Sequence, residues 1–103
     1  MAWLILVAAG LFEIGWAVGL KVANGRPVIL AFTLLAMIAS VALLYLAMRD
    51  LPLGTAYAVW TGIGAVGTVL VGIMMFGEPA DIVRLSCIGL IVAGIAGLKL
   101  VTP

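Results

Sequence analysis

Histidine is missing from this sequence, and charged residues are scarce. Of its 103 residues, 9% are charged and 67% are hydrophobic. A soluble globular domain is typically about 25% charged. Without histidine the chain lacks the commonest metal ligand and general base, which disfavours zinc sites and histidine-based catalysis. The composition therefore indicates an integral membrane protein.

Cysteine is nearly absent, and the charges almost cancel. The one cysteine, Cys87, cannot form a disulfide within a single chain, so we expect it to pack as a small residue. A formal net charge of +1 offers no electrostatic basis for binding nucleic acid. No Lys or Arg precedes the first apolar run, which disfavours a secretory signal peptide.

The few charged residues divide the chain into long apolar segments. A helix needs about 20 residues to cross the hydrocarbon core of a bilayer. We therefore predict an all-α membrane protein with one transmembrane domain, residues 1–103. Its four helices are predicted at residues 2–20, 27–48, 54–76 and 84–101. Glu13 costs the first span about 2.5 to 3.5 kcal/mol on insertion, which its Leu, Ile, Val and Phe residues offset.

The loops give the chain no preferred orientation in the membrane. Lys and Arg normally accumulate in cytoplasmic loops. Here one side would hold Lys21, Arg26 and Arg84, and the other would hold Arg49, Lys99 and the amino terminus. A chain without such a bias can insert both ways round. Two copies could then pair antiparallel and supply the inverted halves from which secondary transporters are built.

Small residues recur every four positions in the fourth predicted helix, at Gly89, Ala93 and Gly97. This spacing lets helices approach closely in lipid. It is compatible with a contact between two copies and also with a contact inside one chain.

Residues 62–67 read Gly-Ile-Gly-Ala-Val-Gly, which matches the dinucleotide-binding pattern G-x-G-x-x-G. That pattern functions between a strand and a helix, with an acidic residue about 20 positions later for the ribose. Here it lies inside an uncharged transmembrane run, and Asp81 falls in a loop beyond that run. We therefore interpret Gly62 and Gly64 as positions where the third helix packs closely or bends.

Glu13 is the most informative residue for function. At 1.5 Å per residue it lies about 17 Å along the first span, close to the middle of the membrane. Intramembrane carboxyl groups are functional by default, although a protonated Glu that only bonds a neighbouring helix is an alternative. No Lys or Arg lies near the middle of a span, where it could neutralise Glu13 permanently. Its partner must come from outside, and competition between a proton and a cation is the minimal mechanism of an antiporter.

Aromatic residues at helical spacing suggest where the cation binds. Trp16 follows Glu13 by three positions, and Tyr57 and Trp60 are also three apart. An aromatic face stabilises a desolvated cation by about 2 kcal/mol or more. Interfacial anchoring is the alternative for Tyr57, and ordinary packing for Trp60. Ser40 could join a hydrogen-bond network or merely pack between helices.

Three segments resemble the small multidrug resistance transporters: GLFEIGWAVGLK at 10–21, LPLGTAYAVWTGIGAVG at 51–67 and GIAGLKL at 94–100. The resemblance covers essentially the whole chain. Trp16 after Glu13, together with the run GTAYAVWTGIG, is similar to the guanidinium exporter branch. The resemblance implies an antiparallel homodimer in a bacterial inner membrane. It implies further that such a dimer would export guanidinium and small substituted guanidinium ions in exchange for protons, without a cofactor.

The resemblance also implies roles for individual residues. Glu13 would bind the proton and the substrate alternately. Four residues would line the site or orient Glu13, namely Trp16, Ser40, Tyr57 and Trp60.

Two glycines and the fourth helix would have mechanical roles by the same resemblance. Gly62 and Gly64 match the positions at which the third helix bends during access exchange. The fourth helix matches the dimerisation helix, which is where Gly89, Ala93 and Gly97 lie. The family's more familiar glycine pattern is not kept there, because Cys87 takes the upstream glycine position.

The chemistry of guanidinium agrees with these residues, while two alternatives stay open. Guanidinium is planar, pairs its parallel N–H donors with a carboxylate and stacks on aromatic rings. A quaternary ammonium ion lacks such donors and would depend on aromatic faces and non-directional charge attraction. A non-transporting assembly partner would not need Glu13 at the midplane. The residues form no hydrolase-type site, so we do not expect an enzyme.

Overall fold

The computed structural model describes residues 1–102, and these form four helices. The helices are α1 (Ala2–Ala23), α2 (Pro27–Met48), α3 (Leu53–Met75) and α4 (Ile82–Val101). Each is between 20 and 23 residues long and apolar enough to cross a membrane. The predicted all-α fold with four spans is confirmed. The first helix continues past Leu20 to Ala23.

A tight turn ends α1 and starts α2. Asn24 and Gly25 adopt positive φ values of 46° and 79°, which reverse the chain within two residues. The Arg26 side chain then donates hydrogen bonds of 2.9 and 3.3 Å to two carbonyls in the last turn of α1. A cation at this end also complements the helix dipole. Pro27 begins α2, where a backbone N–H would have no acceptor within the helix.

The loop before α4 ends in a conventional helix cap. The Asp81 carboxylate accepts a hydrogen bond of 2.8 Å from the backbone N–H of Arg84. A negative charge at a helix N-terminus is favourable. Asp81 therefore has a structural role at the start of α4, in keeping with its rejection as a ribose ligand.

The first helix is central. It packs against α2 and α3, and α3 packs in turn against α4. The buried apolar cluster lies where α1, α2 and α3 meet and consists of Leu6, Ala9, Leu44, Ala47, Leu51, Ala56 and Val59. Many large apolar side chains elsewhere are exposed. Such a surface suits a lipid environment, since acyl chains solvate it as well as protein does.

Close contact between α1 and α3 depends on two glycines. A Cβ atom at Gly10 would lie 2.6 Å from Cγ2 and 2.7 Å from Cβ of Ile63. A Cβ atom at Gly67 would overlap the side chain of Ile14. Each isoleucine thus fills the space that a glycine leaves on the facing helix. In lipid this small-residue packing replaces the hydrophobic force that drives helices together in water.

The fourth helix is peripheral. It has no buried residue, and among residues 1–102 its backbone packs only against α3. The Lys99 ammonium reaches over Trp3 of α1, 4.9 Å from the ring centroid. Added Cβ atoms at Gly89 and Gly97 would meet nothing within 4 Å. The small residues of α4 are therefore left unused by the packing of this chain.

We predict that Gly10→Ala destabilises the helix bundle. The new methyl group meets the Cβ of Ile63, which cannot retreat without moving α3, so the free energy of unfolding should fall by about 1 to 3 kcal/mol. Unfolding by dodecyl sulfate in mixed micelles, followed by circular dichroism, measures this change. Gly54→Ala is the matched control, because a Cβ at Gly54 meets nothing within 4 Å. Equal stability of the two variants would contradict the packing role.

Candidate cation site

Glu13 lies on the side of α1 that faces α3. A Cβ atom at Gly64 would overlap its carboxyl group, so the missing side chain at Gly64 allows the carboxyl group to lie between the helices. Within residues 1–102, Glu13 Oε1 is buried and has no hydrogen-bond partner. A buried, unpaired carboxyl oxygen is costly. The position therefore suits a bound proton or a cation that enters from outside.

Ser40 connects three helices. Its side chain is fully buried, and its hydroxyl donates a hydrogen bond of 2.7 Å to the carbonyl oxygen of Ala9 in α1. The same oxygen accepts a hydrogen bond of 2.9 Å from the indole N–H of Trp60 in α3. The hydroxyl of a single α2 residue thus fixes the position of α3 relative to α1.

Tyr57 and Trp60 form an aromatic pair on α3. Their ring centroids are 5.3 Å apart and their planes are inclined by 58°. Such tilted pairs are favourable. Because the Trp60 N–H is bonded to Ser40, the orientation of its ring is fixed. Tyr57 is 54% exposed in the single chain, so part of its surface is free to contact another molecule.

Trp16 lies one turn beyond Glu13 on α1. Its indole nitrogen is buried, and like Glu13 Oε1 it lacks a hydrogen-bond partner within residues 1–102. The two side chains are not hydrogen-bonded to each other. The Trp16 N–H is therefore available to donate a hydrogen bond, and the Glu13 oxygen is available to a proton or to a donor from a ligand.

The structure brings Ser40, Tyr57 and Trp60 into one connected group and places Glu13 against a different part of α3. The group reaches α1 through Ala9, which lies four residues, or one helical turn, before Glu13. Sequence reasoning missed this carbonyl, although its spacing from Glu13 placed it on the same helix face.

The two candidate hinge glycines lie in continuous helix. α3 runs without a break through Gly62 and Gly64. A Cβ atom at Gly62 would lie 2.9 Å from Cδ1 of Ile95, so this glycine makes room for α4. Gly64 makes room for Glu13, a contact that sequence reasoning also missed. Nothing in the sequence indicated which residue of a neighbouring helix would meet each glycine.

We predict that Ser40→Ala lowers the free energy of unfolding by about 1 to 3 kcal/mol, because it leaves the Trp60 N–H without a partner and removes the hydrogen bond to the Ala9 carbonyl of α1. Dodecyl sulfate titration of the variant measures the loss. Ser86→Ala is the control, since the exposed Ser86 hydroxyl donates only to the carbonyl of Ile82 in its own helix. A Ser40 variant as stable as the Ser86 variant would show that the link between the helices is energetically unimportant.

Comparison with known families gives a match over most of the chain. The model of the family described as Small Multidrug Resistance protein matches residues 1–91. This stretch includes all of α1, α2 and α3 and part of α4.

Similar proteins from several bacteria are named guanidinium exporter. The protein from Yersinia pestis is 60% identical over 97% of this chain and 98% of its own length. Those from Escherichia coli strain K12 and Salmonella typhimurium are 58% and 57% identical, over 99% of both chains in each case. These matches and the four membrane-length helices indicate a multi-pass protein of a bacterial inner membrane. The chain belongs to the small multidrug resistance protein family.

Proposed function

We propose that this chain exports guanidinium and small substituted guanidinium ions in exchange for protons, and that Glu13 binds the proton and the cation alternately. The main support is the environment of Glu13. Its carboxyl group lies between α1 and α3, halfway along a membrane-length helix, and one oxygen is buried without a partner in residues 1–102. No intramembrane Lys or Arg competes for it.

Guanidinium suits these residues better than a quaternary ammonium ion does. Its parallel N–H groups can donate to both oxygens of one carboxylate, and its flat faces can stack on aromatic rings. The paired rings of Tyr57 and Trp60 offer such faces on α3. Relatives that are 58% and 60% identical over nearly the whole chain length are named guanidinium exporter.

The residues around Glu13 orient or line the site and do not themselves exchange the proton for the cation. Ser40 fixes the Trp60 ring through a hydrogen bond, so that the ring presents the same face to the site. Tyr57 packs on that ring, and Trp16 supplies a buried N–H that can donate to the substrate-free carboxylate. Ser40 and Trp60 are therefore positioning and lining residues, and Glu13 alone exchanges one ligand for the other.

Alternating access requires a second copy of the chain. Four helices are too few to contain the inverted halves of a secondary transporter. The unused glycines of α4, Gly89 and Gly97, together with Ala93, provide a surface where another helix can approach closely. The near-absence of a Lys and Arg bias allows the two copies to insert in opposite orientations. Bending of α3 at Gly62 and Gly64 would then alternate access between the two faces.

We predict that Glu13→Gln abolishes guanidinium-driven proton movement. Glutamine keeps the size of the side chain but binds neither an exchangeable proton nor a cation by charge. In proteoliposomes with an outward guanidinium gradient, the rate measured by a pH-sensitive dye should fall to that of protein-free vesicles. Asp50→Asn removes an exposed loop carboxylate instead and should leave the rate unchanged.

Three results would contradict this proposal. Proton movement that survives in Glu13→Gln would show that competition at this carboxylate is not the mechanism. Wild-type vesicles that move tetramethylammonium but not guanidinium would point to a quaternary ammonium exporter of the same family. Vesicles that move neither ion would favour a non-transporting assembly partner.

We also predict that both orientations occur in one membrane. Asn24→Cys in a Cys87→Ser background places the only thiol in the exposed loop between α1 and α2. About half of the thiols should react with a membrane-impermeant maleimide added to intact cells, and the other half only after permeabilisation. Complete reaction before permeabilisation, or none, would show a single orientation.

A further inference from the structure

A cavity of about 210 Å³ lies between α1 and α3, on the membrane face where both helices end. Its polar lining groups are Lys21 from α1, Thr68 from α3 and Glu78 from the loop that follows, and the rest of the lining is small or apolar. One water molecule occupies about 30 Å³ of liquid, so the cavity has room for several. Two charged side chains and a hydroxyl group supply the polar partners that such water needs.

The cavity continues the seam in which Glu13 lies. Two series at four-residue spacing face each other there: Glu13, Ala17 and Lys21 on α1, and Gly64, Thr68 and Gly72 on α3. Residues four apart share a helix face. Since the Glu13 carboxyl group contacts the Gly64 position, the inner end of the cavity begins about one turn, or 6 Å, beyond it. The outer end reaches the membrane face.

Thr68 places a free hydroxyl group at the inner end of the cavity. The hydroxyls of Thr33 and Ser86 donate to carbonyls four residues earlier, at 2.8 and 2.6 Å. Within residues 1–102, the Thr68 hydroxyl makes no such bond and is not hydrogen-bonded to any other side chain. It is therefore able to donate to one water molecule and accept from another.

Glu78 lies at the outer end, held by the way α3 terminates. Gly77 has a φ of 66°, and the Glu78 N–H donates a bond of 3.2 Å to the Gly72 carbonyl. This reversal folds the Glu78 side chain back against Gly72, where a Cβ atom would overlap its carboxylate. Within the described residues Glu78 and Lys21 form no ion pair, and both residues are exposed.

We propose that this cavity is a water-filled route by which Glu13 exchanges protons with one membrane face, with Thr68 as its internal hydroxyl and Glu78 at its mouth. The proposal rests on proton exchange at Glu13. In one passage Glu13 loses one proton, Thr68 gives one and receives one, and the water or carboxylate at the mouth gains one. Two copies of opposite orientation would give one route to each face.

Thiol accessibility tests whether the cavity contains water. Thr68→Cys and Leu70→Cys are made in the Cys87→Ser background and reconstituted in vesicles. Leu70 is 43% exposed on the surface of the same helix and would face lipid. A charged methanethiosulfonate reacts with the hydrated thiolate, so Thr68→Cys should react about tenfold faster or more. Equal rates would overturn the water-filled route.

Transport by conservative variants tests the hydroxyl itself. Thr68→Val keeps the shape but removes the hydroxyl, and guanidinium-driven proton movement should slow about tenfold or more. Guanidinium affinity at equilibrium should stay unchanged, because Thr68 lies a turn away from Glu13. Thr68→Ser should restore the rate, and Thr61→Val, at an exposed position of α3, should not alter it.

Failure of this route and failure of the proposed function give different results. Wild-type protein that exchanges guanidinium for protons, with Thr68→Val at full rate, would contradict the route alone. Wild-type protein that moves guanidinium without protons would contradict the proposed function and the route together.

Discussion

The carboxyl group of Glu13 inside a membrane-length helix is the constraint on which the other features depend. A charge exposed to hydrocarbon is expensive, and this chain provides no intramembrane cation to neutralise it. The glycine at position 64 lets the group lie between helices instead of in lipid. Its unpaired oxygen then makes the site receptive to a proton or a cation from outside.

A small number of specific contacts hold the helices around Glu13 together. In lipid, helices gain little from burying apolar surface against one another, so small residues and hydrogen bonds hold them together. The glycine contacts at Gly10 and Gly67 bring α1 close to α3. The Ser40 hydroxyl then links both helices to α2 through two hydrogen bonds. Glu13 on α1 and the aromatic pair on α3 are thereby held on neighbouring helices.

The sequence predicted the helices well because a membrane imposes a simple rule on length and polarity. It also singled out Glu13 and the aromatic residues as candidates, since each is conspicuous in an apolar span. The contacts of Gly64 and Ala9 could not be predicted, because they depend on how α1 is rotated against α3. The neighbours of the glycine motif at 62–67 could not be predicted either. Gly62 makes room for α4, whereas Gly64 makes room for the Glu13 side chain.

The central claim is that a proton and guanidinium compete for Glu13. Detergent-solubilised protein in weakly buffered solution allows the most direct test, because binding can be followed through protons released on addition of guanidinium. The account predicts proton release that saturates with guanidinium in the wild type and is absent in Glu13→Gln. Saturable guanidinium binding by the wild type without proton release would contradict it.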